Sequence, residues 1–513
     1  MSRHRVPGLS ALQALPGLPG DLDRRWGSTY ETLIGHVVGL TLTVAGLGIF
    51  VSGVVDIWKG GPDIAVLLIV GALVAAVGFI GWRSTTVPRQ IRILDVFVTV
   101  TLAWVVLMVV GALPYVLTGW IPDYDDAMFE SISGFTTTGA TVLRPIEGTG
   151  PGILFWRAVS QWMGGMGVIV LVVAVLPTVG SGGMSLLEAE APGPTGERLT
   201  PRVRQTARRL WGVYIGFTIV LALAYMIAGM GWYDGVAHSF TTVSTGGFSP
   251  YNSSLGHFDS AAIEWIAIVA MFLAGSSFTL LYRLIRGSAG PLLRSKEFHL
   301  YTLIVIGVAL TLFIINDSPG SIAERVRGSF FATTTVVSTT GYATDDFAGW
   351  SQAAQALIMM LLPIGAMAGS TAGGVKLVRV LAIASYAHRE ALRHLHPRLV
   401  RPVRIGSAIV PDRTANKIVG FLVLALATFG GGAMVIALTG PDLVTSFSAA
   451  GTAFGNVGPG LGDVGPTHDF LELPRLARWV TMGQMLLGRL EIYPVILALS
   501  VVTLRRRHRT LRI

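Results

Sequence analysis

The chain has 513 residues, 52% hydrophobic and only 13% charged, about half the charge of an average soluble domain, and its mean hydropathy is +0.63. This excludes a soluble multidomain protein, whose surfaces would need far more charge. The net charge of +9 is dispersed between apolar runs, which argues against nucleic-acid binding, and the absence of Cys excludes disulfides and thiolate metal sites.

Residues 1–30 are basic and rich in Pro and Gly, without the continuous apolar core of a secretory signal, and read as a cytosolic tail. A helix needs about 20 apolar residues to cross a bilayer. Two such runs lie near 33–57 and 63–82. Eight more follow near 95–119, 153–179, 208–230, 260–285, 299–316, 351–380, 415–438 and 478–503. With the N-terminus inside, 30 of the 38 Lys and Arg fall on the cytosolic side, the asymmetry expected of a membrane protein. Seven, Arg157 among them, are grouped outside, and Arg489 lies within the last run.

The four outer connections share a pattern. Each holds a semi-apolar stretch too short to span, ending in a cluster of Thr, Ser and Gly. The clusters are Phe135-Thr-Thr-Thr-Gly139, Val243-Ser-Thr-Gly246, Val337-Ser-Thr-Thr-Gly341 and Gly455-Asn-Val-Gly458. Their recurrence at about 100-residue spacing marks an internal repeat of helix, re-entrant half-helix, glycine loop and helix. Broken backbone at membrane depth survives only inside protein or along a watery cavity. Four such loops on one side therefore argue for one shared cavity.

The chemistry suits a dehydrated cation. Glycine admits the backbone turn that aims successive carbonyls at an axis, and Thr and Ser add hydroxyl oxygens. A ring of such oxygens can replace a hydration shell. Each short helix aims its negative C-terminal end at the cavity, and Asp126, Asp234 and Asp442 stand near the positive ends of three of them.

These strings resemble the filter segments of the Trk/Ktr/HKT superfamily of potassium transporters. Flanking motifs are similar to the bacterial Trk-system membrane subunit: Gln161-Trp-Met-Gly-Gly-Met-Gly167, Gly193-Pro194, Thr200-Pro-Arg202, Thr206-Ala207, Gly369-Ser-Thr-Ala-Gly-Gly-Val-Lys376 and Leu487-Gly-Arg-Leu-Glu-Ile492. The resemblance runs in order over residues 30–503. It implies potassium uptake across the inner membrane of a bacterium, one pore per subunit, a homodimer and a cytosolic, nucleotide-binding regulatory ring of the TrkA/RCK type. The expected fold is an all-α polytopic membrane protein resembling a K⁺ channel, with a leading hairpin and four helix–pore helix–helix repeats around a pseudo-fourfold pore. The expected divisions are 1–94, with the tail and leading hairpin, then repeats at 95–209, 210–297, 298–413 and 414–513.

The resemblance places transported K⁺ at Thr137, Thr138, Gly139, Ser244, Thr245, Gly246, Thr339, Thr340, Gly341, Asn456, Val457 and Gly458. Gly139 favours potassium, because a serine there marks sodium-preferring relatives. The gate is expected at Gly369, Ser370, Thr371, Gly373 and Gly374, in a run that weakens its helix, with Arg489 facing the pore below the filter. Only the fourth loop keeps a second glycine two residues after the first, Gly460, so fewer complete carbonyl rings than in a channel are expected, and moderate selectivity against sodium.

Blander roles suit other features. Gly164, Gly165, Gly167 and Gly430–Gly432 read as close-packing positions. His238 reads as interfacial. Asp345 and Asp346 either concentrate cations at the mouth or simply lie in a solvated loop. The basic segment Tyr386–Arg413 either sets topology and touches lipid or docks the regulatory partner. No metal-site spacing, cofactor motif or ATP loop appears. The alternatives are a sodium-permeable or cation-symporting member of the same superfamily, and a polytopic membrane enzyme. Arg489 and Glu491 are ionisable residues in the spans, but no cluster of acid, base and metal ligands accompanies them, which disfavours the enzyme.

Overall fold

A computed structural model describes residues 22–86, 93–175, 203–316, 319–406, 408–490, 492–498 and 500. Residues 1–21 of the expected 1–30 tail, the motifs at Gly193 and Thr200, and the basic tail after Leu504 lie outside them.

Two long helices, α1 (Leu22–Lys59) and α2 (Ile64–Arg83), form the leading hairpin. They approach closely: a Cβ at Gly39 or Gly46 would collide with the backbone of α2. On its far side α2 exposes Ile69, Leu73, Val77 and Ile80, one stripe at helical spacing, as a lipid-facing helix does.

The rest of the chain alternates long helices with short ones. After α3 (Ile93–Gly111) and a turn of helix α4 (Leu113–Thr118) comes the short α5 (Tyr124–Phe135), then α6 (Pro151–Val175). The next stretch has α7 (Val203–Ile227), the short α8 (Trp232–Val243), and the pair α9 (Ala261–Ala274) and α10 (Phe278–Ile285). Then follow α11 (Lys296–Ile315), the short α12 (Ile322–Val337), α13 (Gln352–Leu361) and α14 (Leu377–Leu395). A two-stranded antiparallel ribbon pairs β1 (Val403–Ile405) with β2 (Ala408–Val410). The chain continues through α15 (Asp412–Leu438), the short α16 (Leu443–Gly455) and α17 (Arg475–Leu490).

Among the described residues six helices are long and apolar enough to cross a membrane: Thr32–Lys59, Ile64–Arg83, Phe97–Thr118, Thr206–Ile227, Lys296–Ile315 and Asp412–Leu438. Two runs expected to span are broken instead. The run near 260–285 bends by 107° between α9 and α10. The run near 351–380 stops at Leu361 and resumes at Leu377, around the expected glycine-rich break.

Polarity is inverted relative to a soluble protein. Apolar side chains cover the outside, while Thr136, Thr137, Thr138, Ser244, Thr245, Ser338, Thr339, Thr340 and Asn456 are fully buried. Arg157, grouped with the outer cations by sequence, is also buried, because Glu130 of α5 neutralises it at 2.7 Å. Gly164, Gly165 and Gly167 do pack closely, against Phe135, Ser244 and Trp104. A Cβ at Gly430 or Gly431 would meet no neighbouring element within 4 Å, whereas one at Gly432 would collide with Gln484, so among the described residues only Gly432 fills the packing role expected of the three.

Candidate ion pathway

The four short helices stop alike, and three of them start alike. Asp123, Ser321 and Asp442 cap the starts of α5, α12 and α16 with side-chain hydrogen bonds, and Ser321 and Glu324 form a full capping box. Gly231 precedes α8 without a side-chain cap. Each helix ends in one backbone device. A left-handed residue, Thr137, Thr245, Thr339 or Asn456, stands at φ between 55 and 59. The next residue reaches back five positions: Thr138 N–H to Ser133 O, Gly246 to Thr241, Thr340 to Thr335 and Val457 to Thr452, at 2.8–3.0 Å. Asparagine tolerates this conformation, whereas a β-branched threonine does not adopt it readily. Three strained threonines in equivalent places mark a demanded geometry.

A glycine with positive φ comes next: Gly139, Gly247, Gly341 and Gly458. The resemblance to the filter segments implies that Gly246 is equivalent to Gly139, Gly341 and Gly458. The backbone instead pairs Gly246 with Thr138, Thr340 and Val457, and Gly247 is the glycine that needs the left-handed conformation.

These residues close on one another. A Cβ on Gly139 would strike Gly246 O; one on Gly247, Thr340 O; one on Gly341, Val457 O; and one on Gly458, Thr138 O, each nearer than 3.0 Å. Every loop thus abuts the carbonyl of the next, and the fourth returns to the first. Buried side chains lock the contacts. Asn456 Nδ2 donates to Thr138 Oγ1 at 3.0 Å and to Met485 O at 2.9 Å. The Tyr342 hydroxyl, from the third loop, lies among Thr241 Oγ1, Thr242 Oγ1 and His238 O in α8. Two oxygens at the left-handed positions, Thr137 Oγ1 and Asn456 Oδ1, are buried without a partner.

Below the ring, residues 362–376 form a broken segment. Gly365 N–H donates to Val375 O and Val375 N–H to Pro363 O, a small parallel bridge. Gly369 and Gly374 have positive φ. Gly369 O accepts from Phe278 N, and Met367 N–H donates to Gly275 O, so this segment satisfies the backbone freed by the α9–α10 bend. Ser370 Oγ turns back to Met367 O. Thr371 Oγ1 donates to Val243 O at 3.0 Å, and Gly373 N–H to Thr339 Oγ1 at 2.9 Å, so the segment touches the ring directly. Arg489 joins it from α17: Nη1 donates to Thr371 O at 2.6 Å and Nη2 to Gly164 O at 2.9 Å. The expected gate residues are therefore assembled in one place, held by carbonyl oxygens.

Several residues were not singled out from sequence. Glu297 Oε1 accepts from both Ala368 N (2.8 Å) and Val378 N (3.0 Å), clasping the two ends of the broken segment. Glu130 binds Arg157, Thr141 Oγ1 and Val142 N. The available signal was an acidic residue beside or within an apolar run, which is rarely idle. His238 is fully buried, not interfacial, with Nδ1 against Asp234 O and Nε2 against Ser249 Oγ. Asp345 accepts from the Trp350 indole and Asp346 caps Ala348 N, so both carboxylates brace the loop that follows the third short helix. Among the described residues no group of His, Asp or Glu is arranged to hold a metal ion.

The fold and its core define a polytopic helical membrane protein with a closed ring of backbone oxygens and buried hydroxyls. Residues 65–301 and 292–505 match the TrkH cation transport protein model, and the chain belongs to this family. It is 39% identical to the Trk system potassium uptake protein TrkH of Halomonas elongata, over 80% of this chain and 85% of that one. It is 34% identical to the TrkH of Escherichia coli K12, over 90% and 97%. The crystal structure of the potassium transporter TrkH from Vibrio parahaemolyticus superposes with a TM-score of 0.81 at 32% identity, covering 91% of this chain and 98% of that one.

Proposed function

We propose that this chain is the membrane subunit of a Trk potassium uptake system, carrying K⁺ inward through the ring of four loops. The observation that carries the reading is the closed sequence of contacts Gly139–Gly246, Gly247–Thr340, Gly341–Val457 and Gly458–Thr138. The chain then divides as 1–94, 95–209, 210–297, 298–413 and 414–513, a leading hairpin and four repeats about a pseudo-fourfold axis. The ion-binding residues are Thr137, Thr138, Gly139, Ser244, Thr245, Thr339, Thr340, Gly341, Asn456, Val457 and Gly458, with Gly247 added beside Gly246. The unpartnered Thr137 Oγ1 and Asn456 Oδ1 fit a hard monovalent cation.

The broken segment with Gly369, Ser370, Thr371, Gly373 and Gly374 is the gate, and Arg489 is its bolt. Both termini face the cytosol, the charge asymmetry supporting that orientation. A cytosolic TrkA-type ring, engaging the basic segment 386–413, moves the gate, and the subunit works as a homodimer. Transport needs no direct ATP coupling. At about 150 mV, inside negative, the field contributes roughly 3.5 kcal/mol per cation, enough for a few hundred-fold accumulation.

The test is flux from purified protein in potassium-loaded liposomes, under potassium or sodium replacement, for wild type and Gly139→Ser. Potassium-selective flux that relaxes toward sodium in the variant supports the reading. Equal potassium and sodium flux in wild type rejects it in favour of a sodium-permeable transporter.

A further inference from the structure

The ring is not chemically fourfold. Thr138 O, Thr340 O and Val457 O accept no hydrogen bond among the described residues. Their counterpart Gly246 O accepts one from Gln161 Nε2 at 2.6 Å. The other end of the same amide, Gln161 Oε1, accepts from Phe248 N at 3.0 Å. Gln161 is fully buried on α6, so both bonds are shielded from water.

Arg157 lies one helical turn earlier on the same face. Its Nη1 donates to Ser249 O at 3.0 Å, and its guanidinium lies 4.0 Å from the Phe248 ring centroid. The pair grips the second loop at Gly246, Phe248 and Ser249, while Glu130 ties Arg157 to the first loop through Thr141 and Val142.

The same contact accounts for an oddity in the sequence. The positions equivalent to Gly246 carry side chains: Thr138, Thr340 and Val457. At Gly246 a Cβ would fall within 3.0 Å of the Gln161 side-chain amide. Gln161 occupies the space a side chain would need, which explains why the second loop alone has a Gly-Gly doublet.

We infer that Gln161 is a specificity-determining residue of the ring, setting the field and position of the Gly246 carbonyl; this rests on the ring being the ion filter. A carbonyl that already accepts an N–H presents a weaker field to a cation, and weaker fields favour K⁺ over the smaller, more strongly hydrated Na⁺. The bond to Phe248 N also stops the loop from closing around the smaller ion. Both effects act in the same direction.

The test is the K⁺/Na⁺ ratio from bi-ionic flux in liposomes, for wild type, Gly139→Ser, Gln161→Met and Gln161→Glu. Methionine keeps the volume and removes both bonds. Glutamate keeps the acceptor for Phe248 and loses the donor once ionised, so it is assayed at alkaline pH, where burial no longer keeps the carboxyl protonated. Both variants lose the bond to the Gly246 carbonyl, and each is expected to lower the ratio by about 2- to 12-fold, the equivalent of that one hydrogen bond, with potassium flux still measurable. A purely structural role would lower the yield of folded protein and leave the ratio alone. A wild-type ratio in either reconstituted variant overturns the inference, provided Gly139→Ser has relaxed selectivity. A wild type without preference overturns the filter reading itself. If neither variant folds, Gly246→Ala in a Gln161→Ala background decides. The inference expects this pair to reconstitute better than Gly246→Ala alone, and equal or worse recovery rejects the shared-space argument and the inference with it.

Discussion

Gly247→Ala tests which glycine of the second loop belongs to the ring. Gly247 stands at φ +79, and a Cβ there would strike Thr340 O, a backbone atom that cannot rotate aside. Holding a non-glycine residue in that region costs about 1–3 kcal/mol. If the ring relieves this strain by widening, the K⁺/Na⁺ ratio falls by about 5- to 150-fold, at about 1.4 kcal/mol per decade. Gly246 differs, because its backbone lies outside the left-handed region and its Cβ would meet the Gln161 side chain. Displacing that side chain loosens both of its hydrogen bonds, to Gly246 O and from Phe248 N; the one that acts on the ring carbonyl is worth about 0.5–1.5 kcal/mol, a loss of about 2- to 12-fold. Bi-ionic flux on matched amounts of reconstituted Gly246→Ala and Gly247→Ala separates the two. A larger loss of selectivity in Gly246→Ala would refute the register.

Other substitutions probe the gate and the scaffold. Arg489→Ala removes the bonds to Thr371 O and Gly164 O; a charged hydrogen bond contributes about 1.5–3 kcal/mol, so potassium flux should rise about tenfold or more, and flux at or below wild type in well-folded protein counts against a gate. Glu297→Ala frees Ala368 N and Val378 N at the two ends of the same segment, and should raise basal flux and speed hydrogen exchange at those amides; unaltered exchange would mean that the segment holds its shape without the clasp. Arg157→Met leaves Glu130 buried and unpaired, at a cost of about 3–5 kcal/mol, visible as a lower thermal transition in detergent, and the double variant with Glu130→Gln should recover much of it. Arg475→Ala loses only surface pairs with Asp125 and Asp123, so a change in that transition equivalent to more than about 1 kcal/mol would contradict their assignment as solvent-screened contacts.

Much of this protein is legible without coordinates, because the signals are local. Apolar length announces the spans, and a Thr/Ser/Gly cluster after a stretch too short to span announces each broken loop. Arg489 and the run from Gly365 to Gly374 stand out as a lone cation and a helix breaker within apolar sequence. Register was not legible in the second loop, because two adjacent glycines offer the same chemistry. Only the hydrogen bond from Gly246 N–H to Thr241 O and the positive φ of Gly247 distinguish them. The α9–α10 bend was hidden for a related reason. Hydropathy continues through Gly275, Ser276 and Ser277, and a straight helix is the default where no water can satisfy open backbone groups. The helix breaks there because Met367 N–H and Gly369 O, some 90 residues downstream by numbering, bond Gly275 O and Phe278 N–H. Local composition can propose where a membrane helix is weak; the partners that make a break affordable are supplied by tertiary contact.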